Sequence, residues 1–150
     1  MDEVDRVILA QLQMDARLTI TELASRAQLS VSPTHRRIRE LERSGVINGY
    51  RAELNATAVG LGFDALVFVT MNDGSHDALS AFESALDAIP NIISAQRLFG
   101  DPDYLLRIVA RDLPAFQELY DNALTSLPAV QRLSSTLVMK TVFAEKPLPL

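Results

Sequence analysis

Two groups of charged residues stand out by their type and spacing. Four arginines fall between positions 36 and 43, and two aspartates, Asp101 and Asp103, lie in a Gly-Asp-Pro-Asp turn. Guanidinium groups at helical spacing can bind phosphate oxygens or the acceptor edge of guanine through paired hydrogen bonds. Carboxylates in a turn can accept hydrogen bonds from an ammonium group. The sequence therefore offers a cationic site and an anionic site, far apart along the chain.

The composition removes several classes of chemistry. The 150 residues include no cysteine, which excludes disulfides, a thiolate nucleophile and a cysteine-ligated zinc site. His35 and His76 form no metal-binding pair, and Asp101 with Asp103 alone is a thin ligand set for a cation. We therefore expect no cofactor and no metal. The acidic N-terminus and the lack of a long apolar run predict a soluble cytoplasmic protein without a membrane span.

The net charge of −5 conceals a difference between the two parts of the chain. Residues 1–55 contain eight arginines and eight acidic residues and carry no net charge, so the remainder carries the whole excess of acid. Local clustering, and not the total, decides whether a surface attracts a polyanion. The asymmetry predicts two parts with different partners.

The arginine cluster is predicted to lie on the third of three helices. Apolar residues at helical spacing predict helices over residues 3–14, 20–27 and 31–43. Thr19 and Glu22 have the spacing of a capping box, and Ser30 is the expected N-cap of the third helix. Pro33 falls in the first turn of that helix, where its missing amide hydrogen is harmless. The second and third helices, joined by a short turn, match a helix-turn-helix.

A helical wheel divides the third helix into two faces. Val31, Thr34, Ile38 and Leu41 are predicted to face the core. Ser32, Arg36, Arg39 and Arg43 lie opposite, flanked by His35 and Arg37. In the major groove the first turns of such a helix reach base edges, which favours Ser32, His35 and Arg36 for base contacts and Arg39 and Arg43 for phosphates. The alternative is a solvated face in which Glu40 pairs with Arg36 or Arg43.

The remainder of the chain predicts a mixed sheet domain. A short strand is expected over residues 46–54, then a hinge over 55–62. Strands over 65–71, 92–99, 104–110 and 130–143 alternate with helices over 76–88 and 113–126. This βαββαβ order is that of a ferredoxin-like fold, whose helices cover one face of the sheet. Leu66, Phe68 and Leu106 are expected on the bare face, which would then need a partner subunit.

Two motifs resemble the Lrp/AsnC family of transcription regulators. The run from Leu29 to Tyr50 is similar to that family's LSxxxxxRRxxxLExxGxIxGY pattern, and Gly100 to Leu106 is similar to its GDxDYLL signature. The opening Asp5-Arg6-Val7-Ile8-Leu9 resembles its DxxIL start. Gln28 departs from the glycine usual in the turn, and a positive φ there would cost about 1–2 kcal/mol.

The resemblance implies an α+β architecture: an N-terminal winged helix-turn-helix joined by a hinge strand to a C-terminal ferredoxin-like βαββαβ (RAM) domain. The implied domains are 1–54 for DNA binding with its exit strand, 55–62 as hinge, and 63–150 for effector binding and oligomerisation. It implies double-stranded DNA as a partner, a small effector that is usually an amino acid, and homodimers that assemble further, commonly to octamers.

The residues predicted for each role combine the helical wheel of the third helix, the Gly100–Asp103 motif and the polar residues of the last strand. The DNA-binding set is Ser30, Ser32, Thr34, His35, Arg36, Arg37, Arg39 and Arg43; the effector-binding set is Gly100, Asp101, Asp103, Ser134 and Thr136; no residue is expected to be catalytic or to bind a metal. Simple turn chemistry is an alternative explanation of residues 100–103. Other functions left open are a winged-helix protein-interaction module, a regulator that needs no effector, and a small ferredoxin-like enzyme.

Overall fold

A computed structural model describes all 150 residues of the chain. In order along the chain, its elements are α1 (Glu3–Met14), α2 (Ile20–Arg26), α3 (Val31–Arg43), β1 (Phe63–Met71), α4 (His76–Asp87), β2 (Ile92–Arg97), β3 (Tyr104–Ala110), α5 (Leu113–Asn122), a 3-10 turn (Leu124–Ser126) and β4 (Val130–Leu137). These elements fall into two compact units. The first comprises Met1–Glu53 together with Val142–Leu150, and the second comprises Leu54–Thr141.

The first unit is a three-helix domain with a small apolar core. Its buried side chains come from all three helices: Ile8, Leu9, Leu23, Ile38 and Leu41. The predicted periodicity of α3 is confirmed at its centre, but Val31 does not face the core. Its side chain is 47% exposed, because it lies in the first turn, at the edge of the packed region.

The two predicted helix starts have different outcomes. The Thr19 capping box is confirmed, since the Glu22 amide donates to the Thr19 hydroxyl and the Glu22 carboxylate accepts from the Thr19 amide. This pairing, with the Thr19 amide as the main cause, lowers the pKa of Glu22. Ser30 occupies the predicted N-cap position of α3, but its side chain makes no capping hydrogen bond. Its carbonyl oxygen instead accepts from both the amide and the hydroxyl of Thr34.

The turn between α2 and α3 requires a left-handed residue. Gln28 has a φ of 55°, the left-handed conformation that the glycine usual in the family would adopt more easily. Its amide donates to the Ser25 carbonyl, and the Leu29 amide donates to the Ala24 carbonyl, so that the last carbonyls of α2 are satisfied. This is a Schellman ending, whose left-handed position glycine fills without a side-chain clash.

Replacing Gln28 with glycine is expected to stabilise the N-terminal unit by up to about 1 kcal/mol, because relief of the left-handed strain exceeds the entropy that glycine loses on folding. Urea unfolding monitored in that unit measures the change. Gln11→Gly, inside α1, is the comparison and should destabilise. A loss of stability in Gln28→Gly would show that the glutamine is not strained.

The strand predicted over residues 46–54 does not form. Val46, Tyr50 and Leu54 are exposed, and no other strand of the chain lies beside them. A strand is held by hydrogen bonds to a neighbour, so an alternating pattern alone does not produce one within a single chain. The Tyr50 hydroxyl donates to the Glu42 carboxylate, and this contact ties the segment to the end of α3.

The second unit is a four-stranded sheet with helices on one face. The strand order is β2-β3-β1-β4, and each neighbouring pair is antiparallel. This is the predicted βαββαβ arrangement, with small changes at the ends. Strand β4 stops at Leu137, before the predicted end at residue 143, and α5 stops at Asn122, where the 3-10 turn takes over.

The helix-covered face of the sheet holds the main core. Val67 and Val69 of β1 and Ile108 of β3 are completely buried there. Leu106 also points to this side, which corrects its expected place on the bare face. The Tyr104 hydroxyl donates to Glu83 of α4, and burial, aided by this contact, raises the pKa of Tyr104 to about 12.

The limits of the two compact units differ in part from the predicted domain limits. By contacts, residues 54–62 belong with the sheet unit and Val142–Leu150 with the helical unit. The ranges 1–54, 55–62 and 63–150 describe functional domains, namely DNA binding, hinge and effector binding, and they stay predictions. None of the helices has the length and apolar content that crossing a membrane would need.

Candidate functional sites

The outer face of α3 presents a row of exposed polar side chains. Ser32, His35 and Arg36 lie in its first two turns, and Arg39 follows one turn later. All four are exposed, and their side chains accept or donate no hydrogen bond within the chain. At a rise of about 1.5 Å per residue, the face from Ser32 to Arg43 extends over about 16 Å. It is an exposed polar surface on which Arg36 and Arg39 have no acidic partner.

Arg37 has a structural role that the sequence did not suggest. Its guanidinium donates to the carboxylates of Asp2 and Asp5, both at 2.8 Å, and so joins α3 to the start of α1. The two aspartates also cap α1 reciprocally. The Asp5 amide, followed by Arg37, lowers the pKa of Asp2. The Asp-x-x-Asp spacing at the N-terminus was the available signal for the cap, but it did not indicate the arginine.

Arg43 also has a partner within the chain: it pairs with Glu40, as the alternative of a solvated helix face predicts. Its guanidinium donates to both carboxylate oxygens of Glu40, at 2.6 and 3.1 Å, and this lowers the pKa of Glu40. Both side chains are well exposed, so the pair is weak and a phosphate could compete for the arginine. Arg36 is not part of this pair.

Thr34 must be removed from the set of residues that could contact DNA. Its side chain is completely buried, and its hydroxyl donates to the Ser30 carbonyl at 3.0 Å. The helical wheel places Thr34 on the core side, although the predicted DNA-binding set also includes it. The burial decides in favour of the core.

The turn at residues 100–103 separates its two aspartates into different roles. Asp101 is exposed, and no group in the chain donates a hydrogen bond to its carboxylate. Asp103 is half-buried and accepts from the Met71 amide at 2.7 Å, while its own amide donates to the Val69 carbonyl. Gly100 has a φ of 140°, a conformation that side-chain-bearing residues rarely adopt. Asp103 thus fastens the turn to β1 and leaves Asp101 at the surface.

Replacing Asp103 with alanine is expected to lower the stability of the sheet unit by about 1–2 kcal/mol, because the Met71 amide loses its acceptor in a partly buried place. Asp103→Asn keeps an acceptor oxygen and should lose less. Thermal unfolding of the two variants beside Asp101→Ala, which should be neutral, measures the effect. Equal stability of all three would contradict the structural role of Asp103.

Asp101 borders a recess whose other lining residues were not among the predicted effector-binding residues. A cavity of about 450 Å³ is lined by Asp101, Thr70 of β1, and Gln131 and Arg132 of β4. Thr70 and Arg132 are direct partners in the antiparallel ladder. The ladder between β1 and β4 brings Arg132 beside the turn, a proximity that requires knowledge of the strand register.

Ser134 and Thr136 lie elsewhere on β4. They pair with Phe68 and Leu66 of β1, so they stand two and four residues beyond Arg132 on the helix-free face. At about 3.3 Å per residue these steps are roughly 7 and 13 Å from Arg132. Neither residue lines the recess beside Asp101. The structure therefore brings Asp101 together with Arg132 and Gln131, and it separates Asp101 from Ser134 and Thr136.

The helix-free face of the sheet mixes apolar and charged side chains. Leu66, Phe68 and Leu105 are half-buried there without helices above them. On the same face, Arg107 donates to Asp64 through Nη2 at 2.7 Å and through Nε at 3.1 Å. A half-apolar face with a fixed ion pair is a surface that can pack against another copy of the chain.

Comparison with known proteins decides the family. Residues 1–48 match the model of winged helix-turn-helix DNA-binding domains, and residues 64–148 match the model of the Lrp/AsnC ligand binding domain. The chain belongs to the Lrp/AsnC family. The two matches cover the α3 face and the recess beside Asp101, in the expected order along the chain.

Individual members of the Lrp/AsnC family are similar to this protein in sequence and structure over nearly its full length. The Bkd operon transcriptional regulator of Pseudomonas aeruginosa is 35% identical over 150 residues, which are 100% of this chain and 98% of the relative. The leucine-responsive regulatory protein of Rhizobium meliloti is 38% identical over 142 residues, covering 95% and 91%. The solved structure of a Neisseria meningitidis transcriptional regulator in complex with L-Met has a TM-score of 0.93 at 35% identity, covering 99% of this chain and 96% of that one.

Membership in the Lrp/AsnC family fixes the general function. The protein is a DNA-binding transcriptional regulator with an effector-binding domain, and it is not an enzyme. The α+β fold agrees with this assignment, since the helical unit and the four-stranded sheet unit correspond to the two matched domains.

Proposed function

We propose that this regulator binds double-stranded operator DNA through the exposed face of α3 and that an amino acid bound beside Asp101 modulates the binding. The observation that carries the effector class is the presence of Asp101 and Arg132 in one recess. A free amino acid has one ammonium and one carboxylate group. Asp101 can accept from the ammonium, and Arg132 can donate two hydrogen bonds to the carboxylate.

The size and the neighbours of the recess support a small zwitterion. Its volume of about 450 Å³ is in the range of small-molecule sites, and Thr70 and Gln131 add polar groups to its lining. The Neisseria meningitidis relative was solved with L-Met, which supports an amino acid here as well. We place Gly100, Asp101, Gln131 and Arg132 in the effector site, with Asp103 as the residue that positions the turn. Ser134 and Thr136 stay candidates only for a ligand that extends along β4.

On the DNA side, we assign separate roles along α3. Ser32, His35 and Arg36 lie toward the N-terminal end of the helix, which in helix-turn-helix proteins approaches base edges. Arg39 and Arg43 lie farther along and suit phosphates, and Ser30 can add a phosphate contact from the turn. Arg37 is assigned to the α1 contact. The protein is expected to act in the cytoplasm, where its DNA is.

A homodimer is the smallest assembly that fits this function. Two copies would place two α3 helices on successive major grooves, and the helix-free face of the sheet with Leu66, Phe68 and Leu105 supplies an apolar surface for association. Dimers are proposed to assemble further, to octamers. The effector is proposed to favour one assembled state whose DNA affinity differs from that of the others.

Salt dependence of DNA binding tests the DNA part of the proposal. If each subunit of a dimer neutralises three phosphates, the logarithm of the association constant should fall with the logarithm of salt concentration with a slope of about −5. Fluorescence anisotropy with a labelled duplex between low and physiological salt measures this slope. A flat response would favour the alternative of a protein-interaction module.

A further inference from the structure

The last residues of the chain contact the DNA-binding unit through one glutamine. Gln13, at the end of α1, uses its side-chain amide twice: Oε1 accepts from the Leu148 amide at 2.6 Å, and Nε2 donates to the Leu148 carbonyl at 3.3 Å. Both backbone groups of Leu148 are therefore paired by one side chain, as a neighbouring strand would pair them. The two contacts join residues 135 positions apart in the sequence.

The same residues meet an apolar recess in that unit. The recess has a volume of about 430 Å³ and is lined by α1, through Leu9 and Leu12, by the segment after α3, through Ile47 and Tyr50, and by the final leucines Leu148 and Leu150. The apolar wall and the polar clamp of Gln13 are adjacent. Together they form a contact site at whose edge Leu148 and Leu150 lie, 70% and 45% exposed, so the Gln13 clamp, and not burial of the leucines, holds the segment.

The sequence at the end of the chain suits such a site. Residues 146–150 read Lys-Pro-Leu-Pro-Leu. Proline fixes its own φ and favours an extended conformation in the residue before it, so this segment loses little conformational freedom when it docks. Proline also has no amide hydrogen. Leu148 is therefore the only donor among residues 147–149, and it is the residue that Gln13 binds.

We propose that residues 147–150 are a latch that docks on their own DNA-binding unit through the Gln13 clamp, at the edge of the recess, and fastens the chain downstream of β4 to it. The polypeptide passes between the two units twice, once before β1 and once after β4. Without the latch, the DNA-binding unit is connected only through the segment before β1. With it, the unit is held at two points instead of one, which in the proposed dimer reduces the freedom of α3 relative to the partner's α3.

The length of chain after β4 supports docking within one chain. Ten residues separate Leu137, the end of β4, from Leu148. Fully extended, they could span at most about 35 Å, which is comparable to the size of a small domain. The segment therefore reaches its own recess without requiring an exchange with a neighbouring copy.

Hydrogen exchange on the full-length protein and on a chain ending at Lys146 tests the latch. Loss of residues 147–150 should accelerate amide exchange about tenfold at the end of α1 and in residues 46–51, because local opening becomes easier there. Gln13→Ala should reproduce the effect. Met14→Ala changes an exposed neighbour on the same helix and should not. Helices α4 and α5 serve as the internal reference, and unchanged exchange in the shortened chain would overturn the proposal.

Crosslinking identifies which copy of the chain supplies the docked segment. The chain has no cysteine, so Ala16→Cys with Leu150→Cys introduces two unique thiols, both lining the recess and outside the Gln13 clamp. The protein is prepared as a mixture of isotope-labelled and unlabelled copies and treated with a short bis-maleimide. Links confined to single isotope classes, with no mixed links, support the latch. Links between classes would assign the site to a neighbouring copy and overturn docking within the chain, and a yield no higher than in Met14→Cys with Leu150→Cys would overturn docking altogether.

Discussion

Replacing Arg36 with alanine is expected to weaken binding to the specific operator by about 1–3 kcal/mol, roughly 5- to 150-fold, and to change binding to unrelated DNA much less. Arg36 lies in the second turn of α3, exposed and without an acid partner. From this position its guanidinium can donate two hydrogen bonds to one guanine. Its removal therefore affects base recognition more than it affects the general attraction to phosphates.

The operator is first selected from random duplexes with the wild-type protein, and the affinities are then measured at one fixed salt concentration. Arg39→Ala is the informative companion, because a phosphate contact should weaken all sequences alike and reduce the salt slope by about 1. Arg111→Ala removes the same charge from the sheet unit and should leave both affinities unchanged. Equal losses on operator and unrelated DNA would reassign Arg36 to a phosphate.

Arg37 shows why neighbouring arginines must be tested separately. It is next to Arg36 in the sequence, yet it binds Asp2 and Asp5 of α1. Arg37→Ala would therefore weaken DNA binding indirectly, through the packing of α3 on α1, and thermal unfolding would register the change. Arg36→Ala should leave the thermal midpoint unchanged, which separates recognition from folding.

Local patterns predicted the helices well because a helix is held by contacts within a few residues. The limits of α1 and α3 followed from apolar spacing, and the Thr19 cap followed from one pair of side chains. The order of strands was also accessible, because hydrophobic runs, turns and helix patterns alternate along the chain. At Gln28 the family's usual glycine raised the question of a positive φ, and the residue does have a φ of 55°.

Contacts between residues far apart in the sequence could not be predicted from local patterns. The strand expected over residues 46–54 needed a neighbour that a single chain does not supply. Arg132 was missed because its position beside Asp101 depends on the register of β4 against β1. Asp103 resembled Asp101 in the sequence, and only the Met71 amide distinguishes its role. In each of these cases the deciding contact lies far away in the sequence.

An amino acid bound at the proposed effector site is expected to stabilise the protein. Screened against the twenty amino acids, the protein should show a selective ligand that stabilises it by about 2.7 kcal/mol when present at 100 times its dissociation constant. Asp101→Ala and Arg132→Ala should each abolish most of this stabilisation, because the first loses the partner of the ammonium and the second loses the partner of the carboxylate. For a chain of this size the expected shift in the thermal midpoint is roughly 5–10 °C.

Two features of the structure make this experiment decisive. Asp101 is exposed and accepts no hydrogen bond within the chain, so Asp101→Ala should have the same stability as the wild type without ligand. Ser134→Ala, two residues beyond Arg132 on the same face of β4, should keep the full response for a ligand confined to the recess and lose part of it for a ligand that extends along β4. A ligand that stabilises both charge variants as strongly as the wild type would place the effector elsewhere. The absence of any response among the twenty would contradict an amino-acid effector, while the cationic face of α3 and its operator binding would be unaffected, because the two sites lie in separate units.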